Sequence, residues 1–304
     1  MVVFPNAKIN LGLNVLRKRG DGYHDISTVF VPYKGLSDVL EVVFADEHGQ
    51  NAGPGTSSAK TTLTEYGLLT GCEPEKNLCF RAWRLMAEKY GVPPVQIHLY
   101  KNIPSGSGLG GGSSDAAFTL RLLNDLCGLR LSDEALAADA ATLGSDCAFF
   151  IYNRPMLASG RGEILRDCAL CLDGYRIEVV VPMARETEGD KAEVAEENAP
   201  GAGPAGKPVH VSTAEAYRGV TPAIPAVPIE EIIARPVEQW RGTLVDGQWR
   251  GGLVNDFERN VLPAHPEIAA AKQAFYDRGA LYASMSGSGS SVFGIFKCTR
   301  SAET

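Results

Sequence analysis

The sequence lacks an excess of basic residues. Across its 304 residues, 29 Lys and Arg stand against 36 Asp and Glu, which gives a formal net charge of -7. The one tight basic run, Arg17-Lys18-Arg19, is typical of a solvated turn. Because nucleic-acid-binding surfaces carry clustered positive charge, this balance argues against a nucleic-acid partner.

Long apolar runs are also absent from the sequence. No segment approaches the roughly 20 apolar residues that are needed to span a bilayer. The first residues, Met1 to Lys8, contain no charged leader followed by an apolar stretch. We therefore expect a cytoplasmic protein that does not contact a membrane.

Cysteines are few and do not form a recognisable framework. The seven cysteines are an odd number and are scattered from Cys72 to Cys298, which suits reduced thiols in a cytosolic protein. Cys168 and Cys171 form one C-x-x-C pair, but no second pair or histidine pair stands at zinc spacing. We interpret these two residues as core or surface thiols.

Glycine, in contrast, is concentrated in one place. Residues 104–117 read Pro-Ser-Gly-Ser-Gly-Leu-Gly-Gly-Gly-Ser-Ser-Asp-Ala-Ala, with five glycines in seven positions. Residues 95–100 before this run alternate as a strand does, and apolar residues within 116–127 recur at helical spacing. We expect Ser113 or Ser114 to cap the helix. The free backbone N–H groups of the loop and helix end then converge on one electropositive spot, which predicts a phosphate cradle.

Several familiar glycine-rich motifs fit this run less well than a phosphate cradle does. Gly106 to Gly111 matches G-x-G-x-x-G, but no strand ending in an acidic residue follows at the usual interval, which disfavours a dinucleotide fold. A Walker A loop needs Lys and then Ser or Thr after its last glycine, and here two serines follow. No serine is placed as in a G-x-S-x-G nucleophile elbow. A flexible linker would lack the flanking strand and helix.

Strand and helix patterns alternate irregularly along the chain, which predicts an α+β or mixed α/β fold. The alternation at 7–15 places Lys8 and Asn10 on one face of a strand. A further strand is predicted at 39–44. Helices are predicted at 77–91, 132–143, 228–233 and 266–278, and a C-terminal hairpin is predicted at 281–296. Residues 49–58 are predicted to form a loop.

The composition changes after Pro182. Residues 186–208 are first acidic and then rich in Ala, Gly and Pro, with almost nothing to bury. We predict a mobile surface loop there, inserted into the second half of the chain.

A phosphate cradle without a Walker lysine still needs a positive group and an acid that can handle a hydroxyl proton. Lys8 is either that positive group or a solvent-facing lysine on a strand. Asp146 precedes the apolar stretch from Cys147 to Ile151 and is either a helix N-cap or a functional acid. The pattern alone leaves these alternatives open.

Seven segments carry a resemblance to a known family. They are Pro5-Asn6-Ala7-Lys8-Ile9-Asn10-Leu11, Gly20-Asp21-Gly22-Tyr23-His24, the glycine run, Leu143-Gly144-Ser145-Asp146, Gly160-Arg161-Gly162-Glu163, Asn255-Asp256-Phe257-Glu258 and Met285-Ser286-Gly287-Ser288-Gly289. They occur in the order seen in the GHMP small-molecule kinases, which the chain resembles over nearly its full length. The segments around Lys8 and Tyr23-His24 resemble a member whose substrate is a cytidine diphosphate derivative of methylerythritol.

This resemblance implies a two-domain α+β fold. Residues 1–157 would form an ATP-binding domain like the second domain of ribosomal protein S5. Residues 158–304 would form a ferredoxin-like domain that carries the insertion, and the active site would lie in the cleft between the two. ATP and Mg²⁺ are the implied cofactors, with no protein ligand assigned to the metal. We expect a monomer or a homodimer.

The resemblance also implies roles for individual residues. Asp146 would act as general base on the substrate hydroxyl, and Lys8 would orient that hydroxyl and offset charge near the transferring phosphoryl group. The ATP phosphates would be wrapped by Pro104, Ser105, Gly106, Ser107, Gly108, Leu109, Gly110, Gly111, Gly112, Ser113 and Ser114. The substrate would be held by Asn10, by Tyr23 stacking on the cytosine, by His24 hydrogen-bonding it, by Thr213 and Tyr217 on the other side of that clamp, and by Gly287 near the phosphates.

Two alternative functions are considered beside this one. Another GHMP kinase, acting on mevalonate, homoserine or a sugar, would keep the glycine run without needing Tyr23, His24 and Tyr217. A catalytically silent homologue that senses a ligand would lose Lys8 or Asp146, and both are present.

Overall fold

The computed structural model describes residues 1–45, 60–184, 207–245 and 248–298. The predicted loop at 49–58 and nearly all of the predicted insertion at 186–208 lie outside these ranges. The strands are β1 (Val2–Val3), β2 (Asn6–Lys18), β3 (His24–Ser37), β4 (Val39–Phe44), β5 (Thr62–Gly67), β6 (Val95–Lys101), β7 (Met156–Gly160), β8 (Ile164–Asp167), β9 (Tyr175–Val180), β10 (Thr243–Val245), β11 (Gln248–Arg250), β12 (Tyr282–Met285) and β13 (Val292–Lys297).

The α-helices connect and cover these strands. They are α1 (Leu78–Tyr90), α2 (Gly111–Leu126), α3 (Asp133–Leu143), α4 (Cys147–Tyr152), α5 (Thr213–Tyr217), α6 (Ile229–Ile233), α7 (Glu258–Ala264) and α8 (Pro266–Asp277). Short 3-10 turns lie at Pro74–Lys76 and Val237–Gln239. In the described parts of the chain, no helix combines the length and apolar character needed to cross a membrane.

Four sheets organise the described chain. One has the order β1-β4-β6-β5, with β5 parallel to β6 and the other pairs antiparallel. The second is antiparallel, β2-β3-β7-β8, and its long β2-β3 pair forms the backbone of the molecule. The third is β12-β13-β9, and the last is the β10-β11 hairpin. Strand β7 crosses the predicted domain boundary at residue 157. It pairs with β3 on one side and with β8 on the other, so the sheet that begins in the first half of the chain extends to Asp167. The boundary itself remains a prediction.

Most of the residues predicted to begin or end a helix do so in the structure. The Asn77 side chain accepts a hydrogen bond from Cys79 N at the start of α1, and Gly91 ends that helix with φ +72°. Ser132 caps α3 in the same way as Asn77 caps α1. The predicted serine cap of α2 is wrong, because the helix begins at Gly111 with Gly110 at the N-cap position. The φ of Gly110 is +73°, a backbone conformation that serine rarely adopts.

Strand β2 joins the two halves of the chain. Its residues Ala7, Ile9 and Leu11 are fully buried and pack in one apolar cluster with Tyr282 and Phe293 from the β12-β13 hairpin. A second apolar cluster fills the space between the first sheet and α1 to α4, and a third lies under α7 and α8. Because side chains alternate along a strand, the residues between these apolar ones face the other way. Lys8 and Asn10 therefore project to the opposite side of β2.

Candidate active site

Two cavities meet in the middle of the molecule. The first has a volume of about 470 Å³ and is lined by the glycine loop and by residues 210–213. The second has a volume of about 620 Å³ and extends from Lys8 to the exposed ring of Tyr23. Both cavities are lined by Gly108, Gly110, Thr213 and Ser288. The two cavities therefore adjoin along these four residues, so that ligands in them would be neighbours.

The glycine loop presents its backbone to the first cavity. Gly106, Gly108 and Gly110 all have positive φ, which side chains other than glycine adopt with strain. The first hydrogen bond of α2 runs from Ser114 N to Gly110 O. The N–H groups at 111–113 therefore precede the helical ladder, at the positive end of the helix dipole. This geometry is a binding site for phosphate oxygens.

A turn from the C-terminal part of the chain closes against this loop. The Ser286 hydroxyl donates to Gly108 O at 2.9 Å, and Ser291 N donates to Ser107 O at 3.0 Å. The buried amide of Asn255 fixes that turn by donating to Met285 O and to Gly287 O. A Cβ on Gly108 would lie 2.1 Å from Ser286 O, so only glycine allows this close approach.

Lys8 lines the second cavity next to Gly110, which lines both cavities, and is only 3% exposed. Its Nζ donates to Asn10 Oδ1 at 2.5 Å and lies 3.5 Å from Asp146 Oδ2 and 5.0 Å from the centroid of the Phe30 ring. Burial lowers the pKa of Lys8, while the Asp146 charge acts in the opposite direction. The solvent-facing alternative for Lys8 is therefore wrong.

Asp146 occupies the N-cap position of α4, but its side chain makes no capping hydrogen bond. The carboxylate is 31% exposed and faces the cavity that contains Lys8. A Cβ on Gly162 would be 3.5 Å from Asp146 Oδ1, so the backbone of the Gly160–Glu163 segment passes close to the carboxylate. The capping alternative does not hold for this side chain, which remains available to accept a proton from a bound hydroxyl.

Aromatic side chains line the outer end of the second cavity. The rings of His24 and Tyr217 stack with centroids 4.7 Å apart, and Phe257 contacts the Tyr217 ring edge-on. Tyr23 is 57% exposed, and the Arg161 guanidinium lies 5.0 Å from the centroid of its ring. A nucleobase that stacks on the face of Tyr217 now covered by His24 would have to displace the His24 ring. The predicted clamp between Tyr23 and Tyr217 remains a prediction.

The structure brings the predicted residues together. The second cavity is lined by every residue predicted to be catalytic or to bind the substrate: Lys8, Asn10, Tyr23, His24, Asp146, Thr213, Tyr217 and Gly287. The first cavity is lined by the predicted ATP loop at 104–108 and 110–113. Leu109 and Ser114 are buried instead, with Leu109 O accepting from Lys8 N and the Ser114 hydroxyl donating to Asn6 O. These two residues join the loop to β2.

Some lining residues have no role in the sequence-based prediction. Arg161 and Phe257 line the second cavity, and His210 lines the first. Arg161 could have been found, because it lies in the Gly160-Arg161-Gly162-Glu163 segment that carries part of the family resemblance. Nothing in the local pattern distinguishes Phe257 from an ordinary core residue.

The donor set does not provide a metal site of its own. Among the described residues, no group of three His, Cys, Asp or Glu side chains could hold a metal ion. Mg²⁺ prefers oxygen ligands and usually keeps several waters when it binds together with substrate phosphates. A magnesium ion that arrives with ATP is compatible with this site, whereas a resident metal bound by a protein cage is not seen in the described chain.

Comparison with known proteins identifies the class. A family model described as the GHMP kinases N terminal domain matches residues 77–154, and one described as GHMP kinases C terminal matches residues 240–304. The first match contains the glycine loop and Asp146, and the second contains the turn that closes against the loop. With the full-length similarity described next, these matches show that the chain belongs to the GHMP kinase family, and the predicted α+β GHMP fold is confirmed.

Within that family, the similarity extends over almost the entire chain. The chain is 44% identical to the 4-diphosphocytidyl-2-C-methyl-D-erythritol kinase of Parabacteroides distasonis, over 98% of this chain and 92% of that protein. A crystal structure of 4-(cytidine 5'-diphospho)-2C-methyl-D-erythritol kinase matches with a TM-score of 0.69 and 31% identity, covering 97% and 89% of the two chains. The homoserine kinase of Cytophaga hutchinsonii matches with a TM-score of 0.54 and 20% identity, over 97% of this chain and 85% of that chain, and shares the fold alone. The protein is a small-molecule kinase.

Proposed function

We propose that this protein transfers the terminal phosphoryl group of ATP to the 2-hydroxyl of 4-diphosphocytidyl-2-C-methyl-D-erythritol, in the non-mevalonate isoprenoid pathway. One observation carries the proposal. All eight residues predicted to be catalytic or to bind the substrate line one cavity, and this cavity shares four lining residues with the glycine-loop cavity. A cytoplasmic location, the absence of other partners, and a monomer or homodimer are part of the same proposal.

The glycine loop would hold the ATP phosphates. Backbone N–H groups at 111–113 supply hydrogen bonds to phosphate oxygens, and the end of the α2 dipole favours their negative charge. The turn at 286–291 keeps the loop in this conformation from the other side. Magnesium bound with ATP would neutralise part of the charge on the transferring group. The phosphates would thus point toward the second cavity, which Lys8 and Asp146 line.

Asp146 would accept the proton of the substrate hydroxyl. Its carboxylate is not engaged in capping and is partly open to the cavity. Lys8 lies 3.5 Å from it, buried beside Asn10, and would hold the hydroxyl oxygen while stabilising negative charge that develops during transfer. Phosphoryl transfer needs positioning and electrostatic stabilisation more than covalent chemistry, which fits a site made of one acid, one cation and a backbone cradle.

The aromatic end would recognise the cytidine part of the substrate. Stacking on an aromatic ring contributes about 1–3 kcal/mol per base. Tyr23, His24 and Tyr217 are the rings available for it in this cavity. Arg161, beside Tyr23, adds positive charge where a substrate carrying a diphosphate would pass.

The experiment that tests this function is ADP release from ATP with a panel of acceptors. We expect turnover with 4-diphosphocytidyl-2-C-methyl-D-erythritol and none with mevalonate, homoserine or galactose. Turnover with only one of the last three would replace the proposal by the alternative of another GHMP kinase. Binding of the cytidine compound without any ADP release would favour the sensor alternative. ATP binding by the same preparation shows that the protein is folded, so that an absence of ADP release is not caused by misfolding.

A further inference from the structure

Three charged side chains are buried together beneath the glycine loop. Lys101 ends β6, Asp38 lies between β3 and β4, and Asp115 is in the second turn of α2. All three are almost fully buried. Lys101 Nζ donates to Asp115 Oδ2 at 2.6 Å and also to a carboxylate oxygen of Asp38. Such clusters are costly to bury, so their position in the fold needs an explanation.

The cluster touches both ends of the phosphate cradle. The second oxygen of Asp38 accepts from Asn102 N at 2.6 Å and from Ile103 N at 2.8 Å, which fixes the chain as it enters the loop. A Cβ on Gly111 would lie 3.2 Å from Lys101 Nζ, so the ammonium lies directly under the first residue of α2. The N–H groups that would bind phosphate are therefore immediately above these charges.

The net charge of the cluster depends on whether Asp115 is ionised. With both carboxylates ionised, the cluster would carry a net negative charge beneath a site for polyanionic phosphates. Asp115 Oδ1 has no hydrogen-bond partner among the described residues. A buried carboxylate oxygen without a partner is least unfavourable when the group is protonated and uncharged. A protonated Asp115 leaves Lys101 and Asp38 as a neutral pair.

The surroundings of Asp115 act in the same direction. Burial raises the pKa of Asp115 to about 8, the Lys101 charge opposes this rise, and the Asp38 charge adds to it. Burial lowers the pKa of Lys101, but the two carboxylates outweigh it, and Lys101 stays charged. From α1, the buried thiol of Cys79 faces the cluster with a raised pKa and stays neutral. Strand β4 and helices α3 and α4 supply apolar side chains such as Leu40, Leu136 and Phe150 to the core around α2.

We propose that Asp115 is a positioning residue for ATP and that it holds Lys101 under the first turn of α2. The glycine loop binds nucleotide tightly only while Asp115 carries a proton. Ionisation of Asp115 adds one negative charge under the cradle and weakens ATP binding. Because the group binds its proton below a pH of about 8, affinity is full at neutral pH and falls as the pH rises through that value. The inference rests on the proposed function only in taking ATP as the nucleotide.

The test is calorimetric titration of the full chain with ATP, without acceptor, from pH 7.5 to 9.5. The ATP phosphates do not titrate in this range, since their last pKa is near about 6. One added charge under the cradle predicts a limiting rise of about fivefold to tenfold in the Kd of the wild type, of which about fourfold to sixfold falls between pH 7.5 and 9.5. Asp115→Asn keeps the shape without the charge, and its Kd should change less than about twofold, staying near the wild-type value at pH 7.5.

Asp139→Asn is the matched control. Asp139 is also buried and bonded to a lysine, Lys89, but these residues belong to α3 and α1 and not to the strand and helix that flank the glycine loop. This variant should keep the wild-type pH profile. Parallel loss of affinity in the wild type and Asp115→Asn overturns the inference and leaves the proposed function intact. Absence of ATP binding at every pH removes both.

A second measurement avoids any dependence on the folding of Asp115→Asn. Carbon-13 NMR of the aspartate carboxyls in the wild type follows the Asp115 titration with and without ADP. Binding and protonation are linked, so a nucleotide that prefers the protonated form must raise the pKa of Asp115 by the same free energy. A fivefold to tenfold coupling appears as an upward shift of about 0.7 to 1 pH unit. No shift on ADP binding would overturn the proposal.

Discussion

The two ends of the site differ in how firmly they are built. At the end proposed for phosphoryl transfer, here called the transfer end, Lys8 and Asn10 are 3% and 2% exposed, and the glycine loop is fixed by hydrogen bonds from both sides. At the end proposed to bind the nucleobase, here called the recognition end, Tyr23 is 57% exposed and Arg161 lies against its ring. One end is constrained by the core and the other by a few side-chain contacts.

This difference matches what each end has to do. Phosphoryl transfer depends on the placement of the reacting atoms, and a misplacement of about 1 Å can cost about 10²-fold in rate. The groups concerned are therefore held by packing and hydrogen bonds before any ligand arrives. Recognition of a nucleobase tolerates side chains that rearrange, because stacking is broad in its geometry. Changes at the transfer end should therefore reduce kcat, and changes at the recognition end should raise KM for the substrate.

Asp146→Asn should have the largest effect at the transfer end. The amide keeps the size of the side chain but cannot take the substrate proton. General base catalysis contributes about 10²–10⁴-fold, and we expect kcat to fall about 10³-fold. Binding of ATP, measured by calorimetry, should stay within about threefold of the wild type. Near-normal turnover in this variant would remove Asp146 from the role of base.

Gly108→Ala tests whether the loop is held as firmly as the structure indicates. The added Cβ would lie 2.1 Å from Ser286 O, and φ is +78° at this position, so the loop and the turn must separate. We expect at least about 1–2 kcal/mol of lost stability in thermal unfolding from the backbone strain alone. The kcat/KM for ATP should fall about 10²-fold, because the cradle is misplaced.

Gly112→Ala is the matched control for that loss of stability. It is helical, and its Cβ would only make an ordinary contact with Leu78 at 3.7 Å. Alanine in a helix is about 1 kcal/mol more stable than glycine, so this variant should unfold at the same temperature or higher. Equal melting temperatures for the two variants would show that the loop is not clamped at Gly108.

How much the sequence predicted also differs between the two ends. The glycine run, the alternation around Lys8 and the apolar stretch after Asp146 are local signals, and the family resemblance turned them into a correct set of neighbours. The burial of Lys8 could not be predicted from alternation, because both faces of β2 are covered by parts of the chain distant in sequence. The serine cap failed because a positive φ at Gly110 starts α2 earlier.

Long-range contacts account for what was missed. The docking of Ser286 on Gly108 joins positions 178 residues apart, and no local pattern specifies such a contact. The same holds for Lys101 and Asp38, which read as ordinary strand-end charges until the fold buries them together. At the recognition end, the rings of His24 and Tyr217 stack on each other. The family resemblance instead predicts Tyr23 and Tyr217 on the two sides of the cytosine, with His24 as its hydrogen-bond partner.

Tyr217→Ala should have the next largest effect and should act on KM. Loss of one stacking ring, at about 1–3 kcal/mol, predicts a rise of about tenfold or more in KM for the cytidine substrate. The kcat at saturation and the KM for ATP should stay within about twofold, as measured by steady-state ADP release. Tyr217→Phe keeps the ring and should keep the KM. A fall in kcat with unchanged KM would place Tyr217 at the transfer end instead.

Arg161→Gln should have the smallest effect, because its contacts are the most exposed. An exposed cation over an aromatic ring contributes about 0.5–1 kcal/mol, so KM for the substrate should rise about twofold to fivefold with kcat unchanged. Added salt screens exposed charges, and the ratio between variant and wild type should shrink as ionic strength rises. Arg166→Gln is the control, since that arginine pairs with Glu230 outside the second cavity. If Arg161→Gln lowered kcat by tenfold at saturating substrate, the exposed end of the site would contribute to transfer itself, and the division between the two ends would fail.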